Sequence, residues 1–275
     1  FIYLLIKIFK SLNLNFNTTI ISFSLIIFNP YLLRYFFAVP TMLGDFIFII
    51  STLIIVDGLL KDNKKNIFFG FLLSIITRQN GLFFFLSFLI AKLIFRNKSI
   101  FEKKDIVYFS IILLITFLIN TFYASNSSPE TEKISDLYLP TLFGIFTHSY
   151  NLKQFILFVF FPFLSFGPII LLFIFKKINF NKENINEKNI IILISCILII
   201  GIAFASGPYT TGKNLLRLSN LALPMIIILI NLIFKEDKKN SINKNLIFYM
   251  PFFVLWSFHP TFSAIKIFEC LKNIF

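Results

Sequence analysis

Charge is scarce in this chain of 275 residues. Asp, Glu, Lys and Arg make up 14% of it, where an ordinary soluble domain carries about 25%. With 57% hydrophobic residues and a mean hydropathy of +0.84, there is too little polar surface to coat a water-soluble domain. The composition reads as an integral membrane protein. Acids are scarcer still, 13 against 26 Lys and Arg. That excess would suit a nucleic-acid binder if the lysines formed one stripe or tail, but they sit in short clusters between apolar runs, so no nucleic-acid partner is expected. Cysteine and histidine are nearly absent. Cys196, Cys270, His148 and His259 are isolated from one another and from acids at ligand spacing, which excludes a disulfide framework and gives no metal pattern. No metal and no cofactor are expected.

What the sequence has in abundance is long apolar runs, at 17–38, 43–60, 66–77, 81–95, 105–123, 154–175, 189–206, 219–234 and 245–264. In a bilayer only a helix or a closed barrel satisfies every backbone donor and acceptor, so these runs predict an all-α, polytopic transmembrane bundle of about nine complete segments. The opening stretch, "FIYLLI", ends at Lys7 and is too short to span the membrane. It reads as the stub of a truncated helix, so that 1–275 is expected to be a single integral-membrane domain, a fragment lacking the first helix and first outer loop. Between the runs lie "KDNKKN", "RNKSIFEKK", "KKINFNKENINEK" and "KEDKKNSINK". Placing these on the cytoplasmic side of an inner membrane, with Lys7 and Lys10, puts most of the 26 basic residues there, as the positive-inside rule requires.

That topology has a local consequence. The loops "KDNKKN" and "RNKSIFEKK" share a side only if residues 66–95 cross twice, and the turn dipeptide Asn80-Gly81 lies midway. The stretch "IITRQNGLFFF" is therefore predicted to be the tip of a helical hairpin whose arms of about 12 to 15 residues reach only about 18 to 22 Å. Arg78 then lies below the outer surface, where a guanidinium costs at least about 2.5 kcal/mol unless it meets a polar cavity or an anion. Gln79 and Asn80 are its supporting polar neighbours, and an interhelical hydrogen-bond cluster with them is the structural alternative.

Of four arginines, Arg34, Arg78 and Arg217 fall on the outer side and only Arg96 on the cytoplasmic one. The arginine fork matches phosphate oxygens, so three forks outside point to an anionic headgroup. "GPYTTGKN" imitates a phosphate loop, but Asn214 stands where that motif needs a hydroxyl, and no strand precedes it. Its glycine-rich amides with Lys213 can still hold a phosphate. Asp45 opens the apolar run at 43–60, either as a first-turn acid on free helix amides or as an acid sharing the cavity of Arg34 and Arg78.

Three passages, "FNPYLLRYFFAVPTMLGDFIF", "FFGFLLSIITRQNGLFFFLSFLIAKLI" and "GKNLLRLSNLALPMIIILINL", resemble the GT-C superfamily of multi-pass glycosyltransferases that use polyprenyl-phosphate-linked sugars. The resemblance implies transfer of a sugar from a lipid-linked donor to a glycan, lipid or protein acceptor at the outer face of the membrane. It casts Asp45 as a catalytic acid near the acceptor, and Arg78, Arg217, Lys213 and Arg34 as holders of the departing lipid phosphate. The family's principal acid would lie in the first outer loop, before residue 1. The alternative is a transporter or flippase of lipid-linked saccharide, using the same arginines to bind a headgroup.

Overall fold

The computed structural model describes residues 1–32, 43–95, 100–126, 158–160, 166–169, 172, 186–205, 217–234 and 246–258. Among them the chain is helical and has no β-strand. The helices are α1 (Ile2–Ser11), α2 (Phe16–Ile27), α3 (Leu43–Leu60), α4 (Lys64–Thr77), α5 (Leu82–Phe95), α6 (Lys103–Asn126), α7 (Glu187–Ala205), α8 (Leu223–Ile233) and α9 (Leu246–Phe258). Among the described residues, α3 and α7 are the two helices long and apolar enough to cross a membrane. Arg34, Arg96 and Lys213 lie outside the described residues, as does most of the loop expected at the outer face, 124–153.

Helix α3 is the centre of the fold, and glycines set how closely α4 lies against it. A Cβ on Gly58 would stand 2.8 Å from the Ile67 side chain and 2.9 Å from its backbone nitrogen. A Cβ on Gly70 would stand 2.9 Å from the Ser51 carbonyl oxygen. Backbones that close exchange side-chain volume for van der Waals contact, the means by which helices associate in lipid. The turn between them passes Asp62 in the left-handed region, φ 54°, and Asn63 then caps α4 by accepting from the Asn66 amide at 3.3 Å.

The hairpin read from the sequence is present. α4 ends at Thr77, the 3-10 turn Gln79–Gly81 reverses the chain, and α5 returns. The Arg78 amide closes α4 on the Ser74 carbonyl at 2.9 Å, and the Gly81 amide closes the turn on the Arg78 carbonyl at 2.9 Å. Glycine is needed at 81 because a Cβ there would lie 2.7 Å from the Ile75 nitrogen. Each arm has 14 residues, about 21 Å at 1.5 Å per residue and short of the roughly 30 Å hydrocarbon core.

Phenylalanines fill the space between α4, α5 and α6. Phe88 lies 4.7 Å from Phe101, 4.8 Å from Phe109 and 6.2 Å from Phe71 between ring centroids, and all four are buried. α7 joins α5 across a buried Ser87–Ser195 hydroxyl bond of 2.9 Å. On the far side of α6, Val107, Ile111, Leu114 and Leu118 form an exposed apolar stripe at helical spacing.

The first helix, α1, has ten residues and runs through Lys7 to Ser11. The charge is met from outside the helix: Lys7 Nζ donates to Asp57 Oδ2 at 2.9 Å, and Lys61 takes the other oxygen of the same carboxylate. Asp57 is 1% exposed in the last turn of α3.

Candidate functional site

Two ionic clusters mark the two ends of α3. Asp45 and Asp57 are twelve residues apart on that helix, about 18 Å along its axis. The Asp57 end gathers lysines: Lys7 and Lys61 on Asp57, and Lys64 on Asp105 at 2.7 Å and on Glu102 at 3.3 Å. Lys104 and Lys64 hold the Glu102 carboxyl below its ordinary range. The Asp45 end gathers arginines, and it adjoins the hairpin tip, since a Cβ on Gly44 would meet the Thr77 carbonyl at 3.4 Å.

Asp45 is wholly buried in the first turn of α3 and stands between two guanidinium groups. Arg78 Nη2 pairs with its Oδ1, and Arg217 Nε lies 3.3 Å from its Oδ2. The three residues come from separate parts of the chain: the start of α3, the tip of the α4–α5 hairpin, and a helical turn at 217–220 that leads into α8. Their grouping carries a net positive charge, two cations on one anion.

The two arginines differ in access. The Arg217 side chain is 9% exposed and that of Arg78 is 30% exposed. Arg78 spends one nitrogen on Asp45, and its other guanidinium donors meet no partner among the described residues. A guanidinium has five N–H donors in a fixed fork, so most of the binding capacity of Arg78 faces outward from the pair. Neither Asp45 oxygen accepts a well-aligned hydrogen bond among the described residues, so the carboxylate is held by charge and keeps lone pairs for a hydroxyl donor.

No family model, curated protein or solved structure matches this chain. The site therefore rests on its own geometry.

Of the residues expected to act together, Asp45, Arg78 and Arg217 meet at one point. Gln79 and Asn80 form the 3-10 turn beside it. Among the described residues, no three His, Cys, Asp or Glu side chains gather as a metal set.

A second feature had not been anticipated. Asn29 Nδ2 donates to Asn220 Oδ1 at 2.8 Å, both residues being fully buried, and Asn29 Oδ1 accepts from the Tyr31 amide at 2.8 Å. Between α2 and α8, Asn231 Nδ2 donates to Ser22 Oγ at 3.0 Å, and also to the Ile227 carbonyl of its own helix at 2.9 Å. Ser22 and Asn231 thus join α2 to α8, and Asn29 and Asn220 join the residues just beyond α2 and just before α8. Asn and Ser are too frequent in this chain for these pairs to stand out in the sequence.

Proposed function

We propose that this chain is a polytopic membrane glycosyltransferase that takes a sugar from a polyprenyl-phosphate donor and passes it to an envelope acceptor at the face opposite the lysine-rich end. The observation that carries the reading is Arg78: a guanidinium fixed by one nitrogen to a buried carboxylate, with its remaining donors unpartnered among the described residues and the side chain partly open. That is what an anion site in a poorly hydrated place requires, because its donors are oriented before the ligand arrives. The exposed apolar stripe of α6 and the two spanning-length helices fit lipid around it.

In this reading the acceptor oxygen bonds to the anomeric carbon as the bond from that carbon to the phosphate oxygen breaks. The electron pair leaves with polyprenyl phosphate. Arg78 and Arg217 stabilise the added negative charge. Asp45 first positions the guanidinium groups. As the phosphate draws Arg78, one carboxylate oxygen becomes available to the acceptor hydroxyl and takes its proton.

The test is sugar transfer by the full-length protein in proteoliposomes, with Arg78→Gln against wild type. Transfer should fall by at least about a hundredfold, the scale for losing one oriented donor to a developing oxyanion. Undiminished transfer by folded Arg78→Gln removes the reading. The second reading is a carrier of lipid-linked saccharide, which would use the same arginines to bind a headgroup. Movement of labelled donor between leaflets without release of polyprenyl phosphate would select it.

A further inference from the structure

The arginine end is one of two places where cations are held ready. At the other, a single carboxylate pairs with one lysine of α1 and one just past the end of α3, and α4 adds an amide. Asp57 is 1% exposed, while the Lys7 and Lys61 side chains that pair with it are 37% and 38% exposed. Asn66 Nδ2 reaches the same carboxylate at 3.4 Å. Each ammonium has three donors and gives one to Asp57. The buried acid thus fixes both lysines without hiding them.

Lys10 lies three residues after Lys7 on α1, and Lys65 lies four residues after Lys61. Both are exposed, and neither meets an acid among the described residues. Two cations thus pair with one buried anion, and two further exposed lysines lie close to them in sequence. Beside them on α1, Ile2, Tyr3 and Ile6 are 52%, 75% and 42% exposed. Tyr3, Ile6, Lys7 and Lys10 fall on one side of the helix by their three- and four-residue spacing. An exposed apolar stripe running into a basic end has the polarity of one phospholipid: acyl chain along Tyr3 and Ile6, phosphate at the lysines.

We propose that Lys7, Lys10, Lys61 and Lys65 form a headgroup site for an anionic phospholipid, preorganised by Asp57, with its acyl chain on the exposed face of α1. A soluble polyanion would satisfy the lysines and leave the stripe in water. A zwitterionic lipid would cover the stripe but bring no net charge to the cluster. Only an anionic lipid meets both. This site stands apart from the arginine cluster and does not depend on the transferase reading.

The experiment is lipid titration of the purified full-length protein in neutral detergent, with phosphatidylglycerol and phosphatidylcholine as probes and bound lipid counted by native mass spectrometry. Phosphatidylglycerol should bind in preference. Lys10→Gln breaks no ion pair and should weaken that binding about fivefold, the contribution of one lysine near an anionic lipid surface. Lys7→Gln, which leaves Lys61 on Asp57, should do the same. Lys103→Gln, an exposed lysine on α6 without a paired acid, should leave it unchanged. Equal binding of the two lipids, or equal loss in Lys103→Gln and Lys10→Gln, overturns the proposal.

Discussion

Replacing Asp45 by Asn separates what holds the arginine cluster together from what it offers to a ligand. The carboxylate is wholly buried and Arg217 nearly so, with Nε 3.3 Å from Oδ2. At an effective dielectric constant of about 20 that contact is worth about 5 kcal/mol of Coulomb attraction before desolvation is counted. Removing one partner of such a pair leaves the other charge buried, and costs about 3 to 5 kcal/mol. Arg78 is 30% exposed, so its loss should cost only about 1 kcal/mol, near the upper limit for solvent-screened pairs. The predicted order of destabilisation is Asp45→Asn, then Arg217→Gln, then Arg78→Gln. The double variant Asp45→Asn/Arg217→Gln should recover much of the loss, since it leaves no buried charge unmatched. Thermal and denaturant unfolding in mild detergent, followed by circular dichroism, measures all four. If Arg78→Gln proves as destabilising as Asp45→Asn, Arg78 is a structural strut and the separation of roles is wrong. If Asp45→Asn is neutral, the buried pairing itself is refuted.

Other expectations follow from the packing and the ionic ends. Gly70→Leu should wedge α3 from α4 at the Ser51 carbonyl and cost about 1 to 3 kcal/mol or prevent folding, read as lost thermal stability; an unchanged midpoint would contradict the close approach. Phe88→Ala empties the middle of the phenylalanine cluster and should cost about 3 to 5 kcal/mol in the same assay, whereas Phe117→Ala on the exposed face of α6 should cost little. Glu102 has a lowered folded-state value, so its contribution is present above the unfolded carboxyl pKa of about 4.3 and is lost as pH falls through the lower folded value. Glu102→Gln should therefore narrow the difference in thermal midpoint between pH 6 and pH 3, roughly the span of that titration. Single cysteines placed at Asn80 and Asn63 should react with an impermeant thiol reagent from opposite sides of the membrane; labelling from one side would contradict the reading of the hairpin as membrane-crossing.

The hairpin was legible because two independent signals coincided: the Asn80-Gly81 turn, and basic loops that allowed an even number of crossings. The limits of α3, Leu43–Leu60, follow the apolar run at 43–60 because lipid-length helices leave little room for other choices. Arg78 and Asp45 could be placed at one depth from the same topology, but their contact could not, since no local pattern specifies which helices neighbour one another. Arg217 was expected at that face and comes from 139 residues farther along the chain than Arg78. The Lys7–Asp57 pair was not legible, because its partners are 50 residues apart. The Asn29–Asn220 and Ser22–Asn231 bonds escaped for the same reason, with separations of 191 and 209 residues. Local chemistry is readable in a sequence this apolar, while long-range polar pairing needs the fold.

The central claim is that lipid phosphate docks on the guanidinium of the α4–α5 turn. Photo-crosslinking with a photoreactive polyprenyl phosphate, followed by peptide mapping, tests it most directly. Labelled peptides should contain residues 43–50, 78–82 and 217–223, and labelling should disappear in folded Arg78→Gln. Labelling confined to the peptides around Lys7, Lys61 and Lys64, or persisting unchanged in Arg78→Gln, would contradict it.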